Sequence, residues 1–326
     1  MAVRRLIALV AVVAVATLLA DAQPATADRG VSRFATLPEG QPGHPEGIAA
    51  DAAGNIYAAS FEFSGVNNIY VFGRNGRLKD TIGLNGHLPL GMQFGPDGKL
   101  YVADFGNGSV LQLAPPAHAI TRTYPVCAGG GTTCGLNAIA FSPGGLLYVS
   151  DSFGGNIFTV DRSTGAVATF IQDERLKPAP APHGFPGFGA NGLAFKGTDL
   201  YVSNTADDRI LKISAAKVIS TFTESINGAD GIAWDSAGRL WVCANQENVL
   251  YVLNGAGRVL DIIGGFEGVR DGTPQGLLFP ASPVQSRGSI YVTNSALDFR
   301  HFFADEGPIT RFTVSRVQLN PSRDDD

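Results

Sequence analysis

Residues 98–104 read GKLYVAD: a turn glycine, a polar residue, then an apolar run, Leu100 to Ala103, of strand length that stops at Asp104. Variants return as GNIYAAS (54–60), GLLYVSD (145–151), TDLYVSN (198–204), GRLWVCA (238–244) and GSIYVTN (288–294). Their aromatic residues, Tyr57, Tyr101, Tyr148, Tyr201, Trp241 and Tyr291, are 44, 47, 53, 40 and 50 residues apart, a mean of about 47. That period is the length of a four-stranded propeller blade, and six copies predict six blades.

A second element precedes each aromatic: EGIAAD, LGMQFG, NAIAFS, NGLAFK, DGIAWD and QGLLFP, opening at Glu46, Leu90, Asn137, Asn191, Asp230 and Gln275. The offsets to the aromatics are 11, 11, 11, 10, 11 and 16 residues, which sets the register of a first strand against a second. Pieces such as NIYVFG and SVLQLA alternate apolar and polar residues as a third strand, and GRLKDTI and GAVATFI supply a fourth. The last repeat, PITRFTVSRVQL, has no fourth strand of its own. Residues Arg33 to Leu37 are predicted to pair there and close the ring, which removes the open sheet edges. The expected fold is all-β: a six-bladed β-propeller of four-stranded antiparallel blades.

Composition agrees. Charged residues are 16% of the chain, against roughly 25% in an average domain. Glycine is 41 of 326 residues, well above the usual 7% or so, as many tight turns require. A net charge of −5 and the absence of any Lys/Arg run exclude a basic nucleic-acid surface. Met1 to Arg5 is a short basic start, Leu6 to Ala20 an apolar run, and Ala25-Thr26-Ala27 an A-x-A cleavage pattern. Residues 1–27 therefore read as a secretory signal peptide and 28–326 as the propeller, a secreted or periplasmic protein, expected to be a monomer and without membrane attachment once the signal is gone. In an oxidising compartment Cys127 and Cys134, which bracket CAGGGTTC, read as a local disulfide, and Cys243, inside LWVCA, as a buried packing residue.

The chemistry lies at the inner strand starts. In a propeller these line the central channel, so Glu46, Leu90, Asn137, Asn191, Asp230 and Gln275 are predicted to form a ring around the axis. Five of these six carry side-chain oxygens, and such groups are costly to bury without a hydrogen bond, water or cation. Asn191-Gly192 and Asp230-Gly231 also fit the ordinary turn dipeptides. Two carboxylates and two amides on one axis would make a hard, oxygen-only site suited to Ca²⁺ or another divalent cation, with positions left for water or substrate. No Cys/His spacing suits zinc, and no GxSxG segment suits a serine hydrolase.

The order Glu, Asn, Asn, Asp at blades one, three, four and five resembles the senescence marker protein/gluconolactonase family, which includes luciferin-regenerating enzyme, and the related diisopropyl fluorophosphatase and paraoxonase propellers. The resemblance implies a Ca²⁺-dependent lactone or ester hydrolase acting on a small molecule, with Glu46, Asn137, Asn191 and Asp230 as metal ligands and Asp230 doubling as general base or nucleophile. The chain departs from that pattern in EGIAAD, where Pro and Trp usually follow the Glu, and at Ser60, where an Asp is usual. His44, His87 and His183 precede inner strands and, with Gln275, are candidates for the substrate mouth. Segments such as GKLYVADFGNG also resemble NHL repeats, which implies the alternative: a non-catalytic extracellular binding propeller.

Overall fold

The computed structural model describes residues 30–40, 43–63, 65–179, 187–297 and 309–319. The leader 1–27 and the acidic C-terminal residues 323–326 lie outside them. Six four-stranded antiparallel sheets account for nearly all of the strands. Blade one is Pro45–Ala50, Ile56–Ser60, Asn68–Phe72 and Leu78–Gly83. The inner strands of blades two to six are Pro89–Phe94, Leu136–Phe141, Ala190–Lys196, Ala229–Trp234 and Pro280–Ser286. Among the described residues there is no α-helix, only a 3₁₀ turn at Glu174–Leu176, and no helix long and apolar enough to cross a membrane.

Blade six is made from both ends of the described chain. Its first three strands are Pro280–Ser286, Ser289–Asn294 and Thr313–Gln318, and its fourth is the N-terminal strand Ser32–Thr36, with Ser32 opposite Arg316 and Thr36 opposite Thr313. A two-stranded hairpin, Phe266–Arg270 with Thr273–Gly276, stands between blades five and six.

The repeated aromatic is the inter-blade contact. Tyr57 of blade one meets Phe94 of blade two edge-on at 5.1 Å, Tyr101 meets Phe141 at 5.3 Å, Tyr148 meets Phe195 at 5.0 Å and Tyr201 meets Trp234 at 4.9 Å. Each pair joins a second strand to the next blade's inner strand, and such edge-to-face pairs add about 0.5–1.5 kcal/mol to simple burial. At the closing blade Tyr291 packs on Phe34 of the N-terminal strand, at 4.7 Å. The buried apolar residues accordingly fall into clusters shared by consecutive blades, as when Ile69 and Val71 of blade one pack with Leu100 and Leu111 of blade two.

All six inner strands carry the same irregularity. Their register against the second strand shifts between the first and fourth residues: Pro45/Ile48, Pro89/Met92, Leu136/Ile139, Ala190/Leu193, Ala229/Ile232 and Pro280/Pro283. The second residue of each inner strand thus sits in a bulge, a device that re-aims a side chain and tightens the strand's twist. The third is Gly47, Gly91, Gly192 or Gly231 in four blades. A Cβ on Gly192 would lie 2.5 Å from the Asp230 carbonyl oxygen, and one on Gly231 would lie 2.5 Å from that of Ala281. These glycines let neighbouring inner strands close around the axis, so Asn191-Gly192 and Asp230-Gly231 lie within strands and are not turns.

Cys127 and Cys134 are joined by a disulfide that closes the loop after blade two's outer strand, and Cys243 is free and buried.

Candidate functional site

The bulged positions define the ring: Glu46, Leu90, Asn137, Asn191, Asp230 and Ala281. The sixth member corrects the sequence reading. Gln275 lies on the extra hairpin, where its amide donates to the Thr273 carbonyl at 3.0 Å. Ala281 stands ten residues before Tyr291, matching the other blades, whereas the 16-residue offset of Gln275 counted the hairpin's second strand as part of the blade.

Glu46 and Asp230 come together electrostatically. Burial pushes the Glu46 carboxyl well above its ordinary range and the charge of Asp230 adds to this. Burial likewise pushes Asp230 up to about 7, against the lowering effect of hydrogen bonds from Asn245 and Asn191. The Asn245 amide donates to Asp230 Oδ2 at 3.0 Å. Glu46 Oε2, Asp230 Oδ1 and Asn245 Oδ1 are closed off from solvent and have no hydrogen-bond partner. Cys243 feels the same site, its thiol raised by burial and by the charges of Asp230 and Glu46, which leaves it an unreactive packing group.

The two ring asparagines are buried and anchored from behind. Asn137 Nδ2 donates to Ser152 Oγ at 3.2 Å and Asn191 Nδ2 to Thr205 Oγ1 at 3.0 Å. Ser152 and Thr205 donate in turn to the Ala190 and Ala229 carbonyls, both at 2.8 Å, each tying a blade to the next inner strand.

Sequence reasoning missed this supporting layer. It consists of the residue that immediately follows each seven-residue motif: Phe61, Phe105, Ser152, Thr205, Asn245 and Ser295. Extending the motif by one position would have found it.

Of the predicted mouth histidines, His44 places Nδ1 2.8 Å from the Ser295 carbonyl and stacks on Phe312 at 4.5 Å. Because a carbonyl only accepts, Nδ1 is the donor in this contact. His87 places Nδ1 2.6 Å from Asp104 Oδ2, and the buried Asp104 also accepts from Leu88 N and Asn107 Nδ2. His183 lies outside the described residues. A surface cleft of about 580 Å³ at Asp207, Arg209 and Glu224 is lined by none of the ring residues, and its Arg209 is already paired with Asp207.

Chemically, two carboxylates that each keep one oxygen closed off from solvent and unpartnered demand protons or a cation. Among the described residues no three His, Cys, Asp or Glu side chains cluster, so a cation here would draw on two carboxylates and on amide oxygens.

No protein-family model matches the chain, and no curated protein matches it in sequence. Solved structures do resemble it. A gluconolactonase from Xanthomonas campestris is 14% identical, with 89% of each chain covered and a TM-score of 0.63. A luciferin-regenerating enzyme is 16% identical over 90% of this chain and 96% of its own, TM-score 0.61. A catalytically inactive virginiamycin B lyase from Staphylococcus aureus, solved with quinupristin, is 12% identical over 89% and 99%, TM-score 0.58. At these identities the likeness shows the six-bladed fold.

Proposed function

We propose that the protein is an exported hydrolase of a lactone or similar ester that depends on Ca²⁺ or another divalent cation. One observation carries this reading: Asp230 is buried and Glu46 half-buried, on the inner strands of blades five and one, and one oxygen of each, Asp230 Oδ1 and Glu46 Oε2, is closed off from solvent without a hydrogen-bond partner. The donor set fits a hard cation, since it is all oxygen and carries two negative charges. Glu46, Asp230, Asn137 and Asn191 would hold it, and a cation bound there would polarise an ester carbonyl. Asp230, whose Oδ2 accepts from Asn245, would take a proton from water. The two asparagines orient the substrate. The gluconolactonase among the structural neighbours supports this choice of reaction class, and the disulfide and the leader pattern support export.

The test pairs calorimetry with kinetics. Ca²⁺ titrated into chelator-treated protein should bind, and a panel of lactones should include a substrate whose hydrolysis chelators abolish. Asp230→Asn keeps the shape and removes one charge, so affinity should fall about tenfold or more and hydrolysis by about 10²-fold or more. No Ca²⁺ binding, with chelators changing neither melting temperature nor activity, would return the ring to a wet channel of polar residues and favour a binding propeller.

A further inference from the structure

The two ends of the propeller carry opposite charge. Every inner strand starts at the ring and runs away from it, so the turns from first to second strands and from third to fourth strands gather at the end far from the mouth. Six exposed cations stand in those turns or next to them: Arg74 and Arg77 of blade one, Lys196 and Lys217 of blade four, Arg258 of blade five and Arg287 of blade six. The carboxylates there are engaged. Asp97 pairs with Arg162 at 3.2 Å, Asp199 with Lys212 at 2.7 Å and Asp235 with Arg239 at 2.7 Å, while Asp51 and Asp161 are half-buried and accept backbone N–H groups of their own turns. The mouth end is the reverse: Glu224, Glu247 and Glu267 are exposed there, in addition to the ring carboxylates.

No Lys/Arg run announces this end in the sequence, because its cations come from four blades. With four strands to a blade and strands about 4.8 Å apart, the end measures about 40 Å across. At physiological salt each charge acts over only about 8 Å. A partner that meets cations on opposite sides of the ring at once must therefore be anionic, broad and flat, whereas a nucleic-acid strand would meet those of one or two blades. The chain's connections point the same way. The N-terminal strand begins toward this end, with Ser32 opposite Arg316, and it follows the leader with its apolar run Leu6 to Ala20.

We infer that the far end docks the protein reversibly on an anionic phospholipid surface, with the mouth turned outward. This departs from the expectation that the exported chain has no membrane attachment, and it is independent of the hydrolase reading. Basic side chains near an anionic leaflet are attracted to it, and the acidic mouth is repelled, so the separation of charge sets orientation as well as affinity. Asp324 to Asp326 follow the third strand of blade six, which ends at the same end, and their carboxylates oppose the attraction.

The test floats residues 28–326 with vesicles of phosphatidylcholine alone and of equal parts phosphatidylcholine and phosphatidylglycerol, with chelator present to exclude Ca²⁺ bridges. The protein should rise with the anionic vesicles only and detach at about 0.5 M NaCl, where charges act over about 4 Å. Arg77→Glu with Arg258→Glu should weaken binding about tenfold or more. Arg270→Glu with Arg311→Glu makes the same change in net charge at the mouth end and should leave binding within about twofold, and both pairs should melt with the parent. A chain ending at Ser322 should bind more tightly. Binding to neither vesicle, or equally to both, would overturn the inference. Equal loss in the two charge-reversed pairs would reduce the effect to net charge and overturn it as well. Tighter binding of a single-stranded oligonucleotide than of the anionic vesicles would assign the end to nucleic acid instead.

Discussion

Asp230 is where burial, hydrogen bonding and like charge meet, and its titration is measurable. With no cation bound, its carboxyl is raised from 3.8 to about 7 in the fold and returns to an ordinary value when the chain unfolds. Between those values the folded state holds more protons than the unfolded one, so stability falls as pH rises. The loss starts near pH 4 and levels off above about 7, and a rise of that size bounds it at about 4 kcal/mol. Urea unfolding of chelator-treated protein should therefore give lower stability at pH 8 than at pH 5, and Asp230→Asn should flatten the slope. A chelated wild type that gains stability over this range would contradict the burial of the pair. Asp235 behaves in the opposite sense. Burial raises its carboxyl, but hydrogen bonds from Trp241 and Arg239 outweigh that and hold it below the ordinary value, so its contribution fades only in acid.

At the scale of elements, the bulge explains why a strand residue can serve the channel. In regular pairing the second and third residues of an inner strand would take opposite faces; the extra residue frees the ring side chain and lets the following glycine meet the next blade. The glycines of this chain accordingly fall into two kinds. Gly98 adopts φ +73° in the turn before Leu100 with nothing within 4 Å of a would-be Cβ, so Gly98→Ala should cost about 1–2 kcal/mol of backbone strain. Gly192→Ala drives its methyl into the Asp230 backbone and should cost more than about 3 kcal/mol, if it folds at all. Equal losses for both in chemical denaturation would mean that the neighbouring inner strand yields to a methyl at Gly192 at little cost. None of this was legible beforehand, because a bulge is a property of pairing between strands and leaves no periodicity in either one. The Asn-Gly and Asp-Gly dipeptides carried the wrong local signal for the same reason: close approach and tight turning ask for the same residue.

For the whole molecule, the architecture was legible because each blade must present an aromatic to its neighbour, which stamps Tyr or Trp on the sequence at blade spacing. Five ring positions followed from that register. The sixth did not, since the hairpin 266–276 displaces blade six's inner strand and offers a Gln-Gly that mimics the pattern. The buried cluster of Phe61 and Phe105 with Leu90 escaped because the two aromatics lie one residue beyond the repeat, where the blades differ. Closure can be tested directly. A chain starting at Pro38 lacks the strand Ser32–Thr36 along with Phe34 and Ala35, which pack into the core between blades six and one, and it leaves Thr313–Gln318 as a bare edge. It should melt more than about 10 °C lower or aggregate, given several kcal/mol of lost burial and pairing. Unchanged melting would show that blade six is complete without that strand.

The same pairing has a topological consequence. Ser32 lies opposite Arg316, so the two ends of the propeller are neighbours, and a linker of about five residues would span them. Joined there and reopened at an exposed turn such as 163–164, the polypeptide would trace the same ring as a circular permutant. Which blade is built from two distant segments is then an accident of where translation begins. The carboxylates on the axis, supplied by blades one and five, would meet whichever blade is synthesised first.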